Sequence, residues 1–204
     1  MTRLRAKPAR VQFLQRAAIR PVAPHAVVDD ASVGRVEAAL DPDAGLEATL
    51  DRGYRELDRT QPTLAHFVSE AIATREDDVA QSLGYFLAVA VYLLFREAFP
   101  TRLGEIDADA LAAAIDALQT DEALRAETTD EVLESDDVVA MGQPAVLDFV
   151  QHHVREAVDV AGARADLAQL DDIYRLVLIE VIALSHCVAP PDGEPPVLDG
   201  EVLA

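Results

Sequence analysis

The chain has little of several residue types on which common folds and sites depend. Its 204 residues include a single cysteine, Cys187, and no tryptophan. One cysteine excludes a disulfide framework and is typical of proteins from a reducing compartment. The nine glycines are scattered, and no glycine-rich phosphate loop, His-Glu-x-x-His sequence or Gly-x-Ser-x-Gly sequence occurs. The chain therefore lacks the short motifs that usually mark nucleotide, zinc and acyl-transfer sites.

Apolar runs of membrane-spanning length are also missing. The stretch Leu83–Phe95 carries no charge, but its 13 residues fall short of the about 20 that a transmembrane helix needs. We therefore expect a buried helix here and no transmembrane segment. No secretory leader is recognisable, since no apolar run follows a basic start and precedes a small-residue cleavage site. A cytoplasmic location is the expectation.

The charge is strongly negative and unevenly distributed. The formal net charge is −20, yet residues 1–28 hold six basic residues and no acid. The remainder of the chain therefore carries −26, the difference between −20 and +6. A body this acidic repels phosphate backbones and anionic lipids, so we expect it to bind neither nucleic acid nor a membrane surface. Binding of either kind would fall to the basic N-terminal part.

Two apolar stretches dominate the predicted fold. Leu83–Phe95 and Ile173–Leu184 are too apolar to lie in water, so we expect both to form buried helices. Elsewhere apolar residues recur at spacings of three and four, the period of amphipathic helices, and no alternating strand pattern occurs. We therefore predict an all-α fold, a compact multi-helix bundle in which shorter helices surround the two apolar ones.

The chain divides into three predicted parts. They are a basic N-terminal arm (1–28), an all-helical domain (29–188) and an acidic, proline-rich tail (189–204) that we expect to be disordered. Val11 and Leu14 lie at helical spacing in the arm, which indicates a short amphipathic helix before the prolines that follow. The arm could target a membrane, dock on an acidic partner, or lie frayed on its own acidic body; we favour the last.

Capping residues and prolines mark the predicted helix boundaries. Asp30 is expected to cap a helix that ends near Leu40. Each Gln-Pro pair, at 61–62 and at 143–144, is expected to open a helix, because proline is tolerated in the first turn. We predict a long irregular link with short helices over 119–142, with Thr120 as a cap and a short turn of helix near Thr129, Val132 and Leu133. A last long helix is predicted from about Arg164 to Cys187.

Three sequence matches in the same order indicate an internal duplication. Gln61–Val68 matches Gln143–Val150 at an offset of 82, and Asp78–Gln81 matches Asp166–Gln169 at an offset of 88. Upstream, Ala39–Leu40, Asp43 and Leu46 correspond at an offset of 78 to Ala117–Leu118, Asp121 and Leu124. They predict two helical repeats of about 80 residues, 34–99 and 112–187, related by a pseudo-two-fold axis. Coincidence in an alanine-rich helical protein is the alternative.

Two histidine–carboxylate pairs are candidates for a metal site. His66 and Glu70 lie four residues apart, as do Asp148 and His152, and helical bundles bind metals with such pairs. On a helical wheel, however, His66 and Glu70 lie opposite the apolar stripe of their helix, and His153 shares the predicted solvent face with the second pair. We therefore favour a solvent-exposed face and keep a metal site at these four residues as the alternative.

Glu180 and Cys187 are candidates for catalytic chemistry. A desolvated Glu180 among apolar neighbours would have a raised pKa suited to acid–base work, but we favour a side chain that reaches solvent or pairs with a neighbour such as Arg175. Cys187 follows His186, but a nucleophilic cysteine needs a base that a third group orients. We expect Cys187 to be a core residue.

These observations favour a non-enzymatic protein–protein interaction or adaptor module that needs no cofactor. We expect a protein partner, because the charge asymmetry suits electrostatic association. A homodimer is a further expectation. The alternative is a helical-bundle metal-binding protein or enzyme that uses the two histidine–carboxylate pairs.

Overall fold

A computed structural model gives the structure of the protein and describes residues 18–126 and 134–191. Within these ranges the chain forms eight α-helices and no β-strand, which confirms the predicted all-α fold. The helices are α1 (Asp30–Ala39), α2 (Leu46–Thr60), α3 (Pro62–Ala73), α4 (Asp78–Ala98), α5 (Ala108–Ala126), α6 (Ser135–Gly142), α7 (Pro144–Ala161) and α8 (Leu167–His186).

Aspartate caps start four of these helices. Asp29 accepts a hydrogen bond from the backbone N–H of Ser32 at 2.6 Å, so the cap of α1 lies one residue before the predicted Asp30. Asp77, Asp107 and Asp166 make the same kind of bond at the starts of α4, α5 and α8. A carboxylate at this position satisfies backbone donors that have no partner inside the helix. Helices α3 and α7 begin at the two predicted Gln-Pro pairs.

Helices α4 and α8 form the centre of the fold. They run in the same direction, because the Asp166 N–H donates to Asp77 Oδ2 (2.8 Å) at their N-terminal ends and the Gly104 N–H donates to the Cys187 carbonyl (2.9 Å) beyond their C-terminal ends. Gly84 allows close packing at the contact, since a β-carbon there would lie 2.7 Å from Ile173 Cδ1. The two apolar stretches of the sequence are therefore buried against each other.

The other helices surround this pair. Helices α1, α2, α3 and α7 pack on α4, while α3, α5, α6 and α7 pack on α8. Among the described residues, α4 alone has the length and hydropathy of a membrane span, and 61% of its most apolar 18-residue window is buried inside the fold. Tyr92 and Phe95 of α4 are completely buried.

Two buried glutamines connect the halves of the fold in the same way. Gln61, at the start of α3, donates to the Gly104 carbonyl (2.8 Å) and accepts from the Ile106 N–H (2.7 Å). Gln143, at the start of α7, donates to the Ala26 carbonyl (2.7 Å) and accepts from the Val28 N–H (2.9 Å). Each side chain thus satisfies the backbone of a segment that leads into a helix of the other half.

Helix α6 is a short helix within the predicted link over 119–142. The predicted link is wrong at its start, because helix α5 continues to Ala126, so Thr120 lies inside α5 and caps nothing. The physical reason is Asp121, a buried acid that interrupts the apolar pattern of the sequence. Burial opposes its ionisation, but Arg125, Ser135 and the Ala18 N–H all bond to it and lower its pKa. The fold therefore buries a charged residue, Asp121, that the sequence pattern places in a loop.

Several predictions fall on residues outside the described ranges. They concern the arm helix near Val11 and Leu14, the turn near Thr129 and most of the tail. The described end of the arm, residues 18–28, lies on the helical body. Its residues Ile19, Ala26 and Val28 are buried in the core.

We predict that Gln143→Leu destabilises the protein. The substitution leaves the Val28 N–H and the Ala26 carbonyl buried without their partner, which we expect to lower the free energy of unfolding by roughly 2–4 kcal/mol. Urea denaturation should show a lower midpoint with an unchanged slope. Gln119 is exposed on α5, so Gln119→Leu should change the free energy of unfolding by less than about 0.5 kcal/mol. Equal midpoints for the two variants would contradict the role of Gln143.

Candidate functional site

The first histidine–carboxylate pair lies on the outer surface of α3. His66 Nε2 and Glu70 Oε2 are 3.5 Å apart, and their side chains are 73% and 70% exposed. This exposed pair on one helix turn supplies two metal ligands but does not enclose an ion. Water would reach a metal ion bound there and compete with both side chains for it.

The second pair, Asp148 and His152, lies exposed on α7. In the part of the chain that the structure describes, no three histidine, cysteine, aspartate or glutamate side chains form a group that could hold a metal ion. The structure therefore does not bring the four candidate ligands together. Structural metal sites in proteins usually take four ligands, and catalytic ones at least three.

His153 corrects the prediction of a solvent face on α7. Its ring packs edge-on against Phe149 and Phe86, with centroids 4.5 and 4.8 Å away. Burial and the neighbouring His152 lower the pKa of His153, against the opposing effect of Glu156. On a helical wheel His153 lies about 40° from Phe149, four residues earlier, so it belongs to the apolar stripe of α7 and not to the face of Asp148 and His152.

Glu180 also differs from the favoured prediction. Its side chain is completely buried on α8, and neither carboxyl oxygen has a hydrogen-bond partner among the described residues. Arg175 bonds to Glu122 instead (2.8 and 2.5 Å), because residues five apart on a helix point in different directions. Burial raises the pKa of Glu180 well above its ordinary value. The carboxyl is thus closed off from solvent, and a side chain that no substrate can reach does not serve in acid–base catalysis.

Cys187 lies half-buried at the C-terminal end of α8. Burial raises the pKa of its thiol, and the nearby Asp107 raises it further. Because the thiolate is the reactive form of cysteine, both effects make Cys187 a weaker nucleophile near neutral pH.

A wide apolar groove is the feature that sequence reasoning missed. It lies where the N-terminal end of α4 and the C-terminal half of α7 meet the end of α1 and the start of α8, and its volume is about 1100 Å³. We call it the α4–α7 groove. Its apolar lining includes Leu40, Leu46, Val79, Leu83, Phe86, Ala157 and Val160. Val160 is 76% exposed, which is unusual for a branched apolar side chain beside a groove.

The rim of the groove is acidic. The lining contains five acids, Glu76, Asp77, Asp78, Glu156 and Asp166, with His153 and a single arginine, Arg164. The Asp166 N–H and the first N–H groups of α4 lower the pKa of Asp77. Gln169 lowers the pKa of Asp166 with its side chain and its backbone N–H. Both capping carboxylates therefore stay ionised, and the groove offers an apolar floor inside a negative field.

Two ion pairs involve α8. Arg175 pairs with Glu122 of α5, and Arg75, which directly precedes the groove residue Glu76, bonds to Asp172.

Comparisons with known proteins name no relative. The chain matches no protein-family model, no curated protein and no solved structure. The functional argument therefore depends on the residues and geometry of this chain.

No local signal in the sequence marks the groove. Val160 lies three residues after Ala157 and seven after His153, so it continues the apolar stripe of α7 and resembles a core position. In the structure it is 76% exposed. The groove is lined by residues of α2, α4, α7 and α8 and by the segment that follows α1, and these parts come together only in the fold.

We predict that Glu180 makes stability depend on pH. Its pKa is raised in the folded state, so the stability it contributes is complete below its ordinary value of 4.5 and is lost as the pH rises toward the folded-state pKa. Glu180→Gln should therefore gain stability relative to the wild type between pH 5 and pH 8, as measured by urea denaturation. At pH 8, Glu180→Leu should be more stable than the wild type by about 1–3 kcal/mol or more.

Glu105 provides the control for this experiment. It is exposed, so Glu105→Gln should follow the wild type across the same pH range. A constant difference between Glu180→Gln and the wild type from pH 5 to pH 8 would contradict a neutral buried Glu180.

Proposed function

We propose that this protein is a non-enzymatic interaction module that binds a protein partner through the α4–α7 groove. The observation that carries the proposal is an apolar groove of about 1100 Å³ whose edge includes the 76% exposed Val160. Folded proteins bury apolar surface where they can, and a large exposed apolar patch rimmed by polar residues is typical of an interaction site.

The chemistry of the groove favours a basic, amphipathic partner. Apolar side chains at helical spacing would contact the floor near Leu83 and Phe86, as in other helix-in-groove interactions. Arginine or lysine side chains would then lie beside Asp77 and Asp166, whose charges would also speed association. The same charges repel phosphate backbones, so we propose no nucleic-acid partner for this surface.

The two candidate catalytic groups support a non-enzymatic role. Glu180 is closed off from solvent, and the pKa of Cys187 is raised. The alternative function, a metal protein or enzyme that uses His66, Glu70, Asp148 and His152, has no specific structural observation in its favour. A cytoplasmic location and a homodimer stay predictions.

We also propose that the two halves of the fold arose by duplication. The equivalent hydrogen bonds of Gln61 and Gln143 support this origin, because each glutamine bonds to two residues that lie two apart just before a helix. The contacted segments, Gly104–Ile106 and Ala26–Val28, are offset by 78 residues, as are the upstream sequence matches. The paired caps of α4 and α8 are further support.

The proposed function predicts that Val160→Arg weakens partner binding. The substitution adds a positive charge to a groove proposed to take a basic partner, and Val160 is exposed enough for the fold to tolerate it. Full-length wild type and variant would be compared by affinity capture from native cells and mass spectrometry. A partner that depends on the groove should lose roughly tenfold or more in affinity, the size expected for one central interface residue.

Leu124 provides the matched control, since it is an apolar residue on α5, 43% exposed and away from the groove. Leu124→Arg should retain the partner. A partner that binds both variants equally well would rule out the groove as its binding surface.

A further inference from the structure

A second apolar pocket lies at the opposite end of α8 from the α4–α7 groove. It is formed by α6, the C-terminal end of α8 and residues 19–22, and its volume is about 240 Å³. We call it the α6–α8 pocket. Its apolar lining includes Ile19, Val22, Val139, Met141 and Ile182. The pocket is smaller than most ligand sites, so it suits a short and narrow ligand.

Close contacts hold the walls of the α6–α8 pocket in place. A β-carbon at Gly142 would lie 2.6 Å from Val22 Cγ2, so this glycine lets residues 19–22 pack against the end of α6. On α8, the Ser185 hydroxyl accepts a hydrogen bond from Gln143 Nε2 (3.0 Å). The pocket is therefore formed before a ligand enters, and little loss of conformational entropy opposes binding.

The charge of the α6–α8 pocket is opposite to that of the α4–α7 groove. None of the described residues that line it is an acid, and the side chains that can carry charge are Arg20 and His186. Arg20 is exposed, and no ion pair neutralises it within the described part of the chain. The nearby Asp121, which accepts from the Ala18 N–H, is already paired with Arg125.

Arg20 and His186 also line a neighbouring cavity of about 600 Å³ between α5 and α8. Four alanines of α5 form its apolar wall, and Asp116 is the one acid among its described lining residues. The C-terminal ends of α6 and α8 add partial negative charge here, but a helix dipole acts more weakly than a full charge within hydrogen-bonding distance. The site as a whole favours an anion that carries an apolar chain.

We propose that the α6–α8 pocket binds an aliphatic carboxylate, with the alkyl chain inside the pocket and the carboxylate at Arg20. The planar guanidinium of an arginine can donate two parallel hydrogen bonds to a carboxylate. His186 lines the same pocket, and an N–H of its ring can donate another. Burial of the alkyl chain adds the hydrophobic contribution. The site is separate from the proposed partner-binding groove, because the two share no lining residue.

Calorimetric titration of the full-length protein with octanoate and with 1-octanol tests the proposal. Octanoate should bind with one-to-one stoichiometry. Arg20→Gln should weaken octanoate binding roughly three- to tenfold, the size expected for one exposed charge, and should leave the affinity for 1-octanol unchanged. Arg52 is an exposed arginine on α2 that does not line the pocket. Arg52→Gln should therefore bind octanoate as the wild type does.

A second pair of variants locates the site. Met141→Glu places a negative charge at the α6–α8 pocket and should weaken octanoate binding roughly tenfold or more, because like charges would then lie close together. Leu124→Glu adds the same charge on α5 outside the pocket, at a residue of equal exposure (43% against 44% for Met141). This control should retain the affinity of the wild type.

Three results would overturn the proposal. They are the absence of saturable octanoate binding, equal octanoate affinities of Arg20→Gln and the wild type, and equal losses of affinity in Met141→Glu and Leu124→Glu. Val160→Arg changes the α4–α7 groove and should leave octanoate affinity unchanged; a loss in that variant would place the ligand in the groove and also contradict the proposal. Because the titration involves no protein partner, its outcome is independent of the capture experiment.

Discussion

The fold depends on the burial of two apolar helices against each other. Helices α4 and α8 are each too apolar to face water, and every other helix packs on one of them. Their parallel arrangement brings their N-terminal ends together, so the capping residues Asp77 and Asp166 meet at one place. That meeting concentrates negative charge at one end of the molecule. The acidic rim of the α4–α7 groove is a direct consequence.

The groove and the buried Glu180 are two results of the packing around α4 and α8. Phe86 and its apolar neighbours line an open groove. On α8, Glu180 is completely buried, and its carboxyl oxygens have no hydrogen-bond partner among the described residues. A structural role does not explain why a carboxyl is kept there, since an apolar side chain would fill the same space with less desolvation.

Local signals in the sequence were enough to predict the framework. Aspartates and Gln-Pro pairs mark helix starts because their effect acts within one turn, and the apolar stretches identify the core because burial follows from composition. Predictions failed where a distant part of the chain changes the environment of a residue. From the sequence alone, Asp121 is expected in a loop. In the structure it is buried in α5, where the Ala18 N–H and the Ser135 hydroxyl donate hydrogen bonds to its carboxylate. The prediction for His153, in contrast, failed for a local reason, because this residue lies four after the buried Phe149 and shares its face of α7. The groove needs four helices, and no local pattern encodes it.

Native-state hydrogen exchange of the full-length protein, followed by mass spectrometry, tests the central claim most directly. If α4 and α8 are buried against each other and support the other helices, their amides exchange only through global unfolding. Both helices should then show the slowest exchange in the protein, at a common rate, while α1 and α6 exchange faster. Exchange of either central helix at the rate of α1 or α6 would contradict the account.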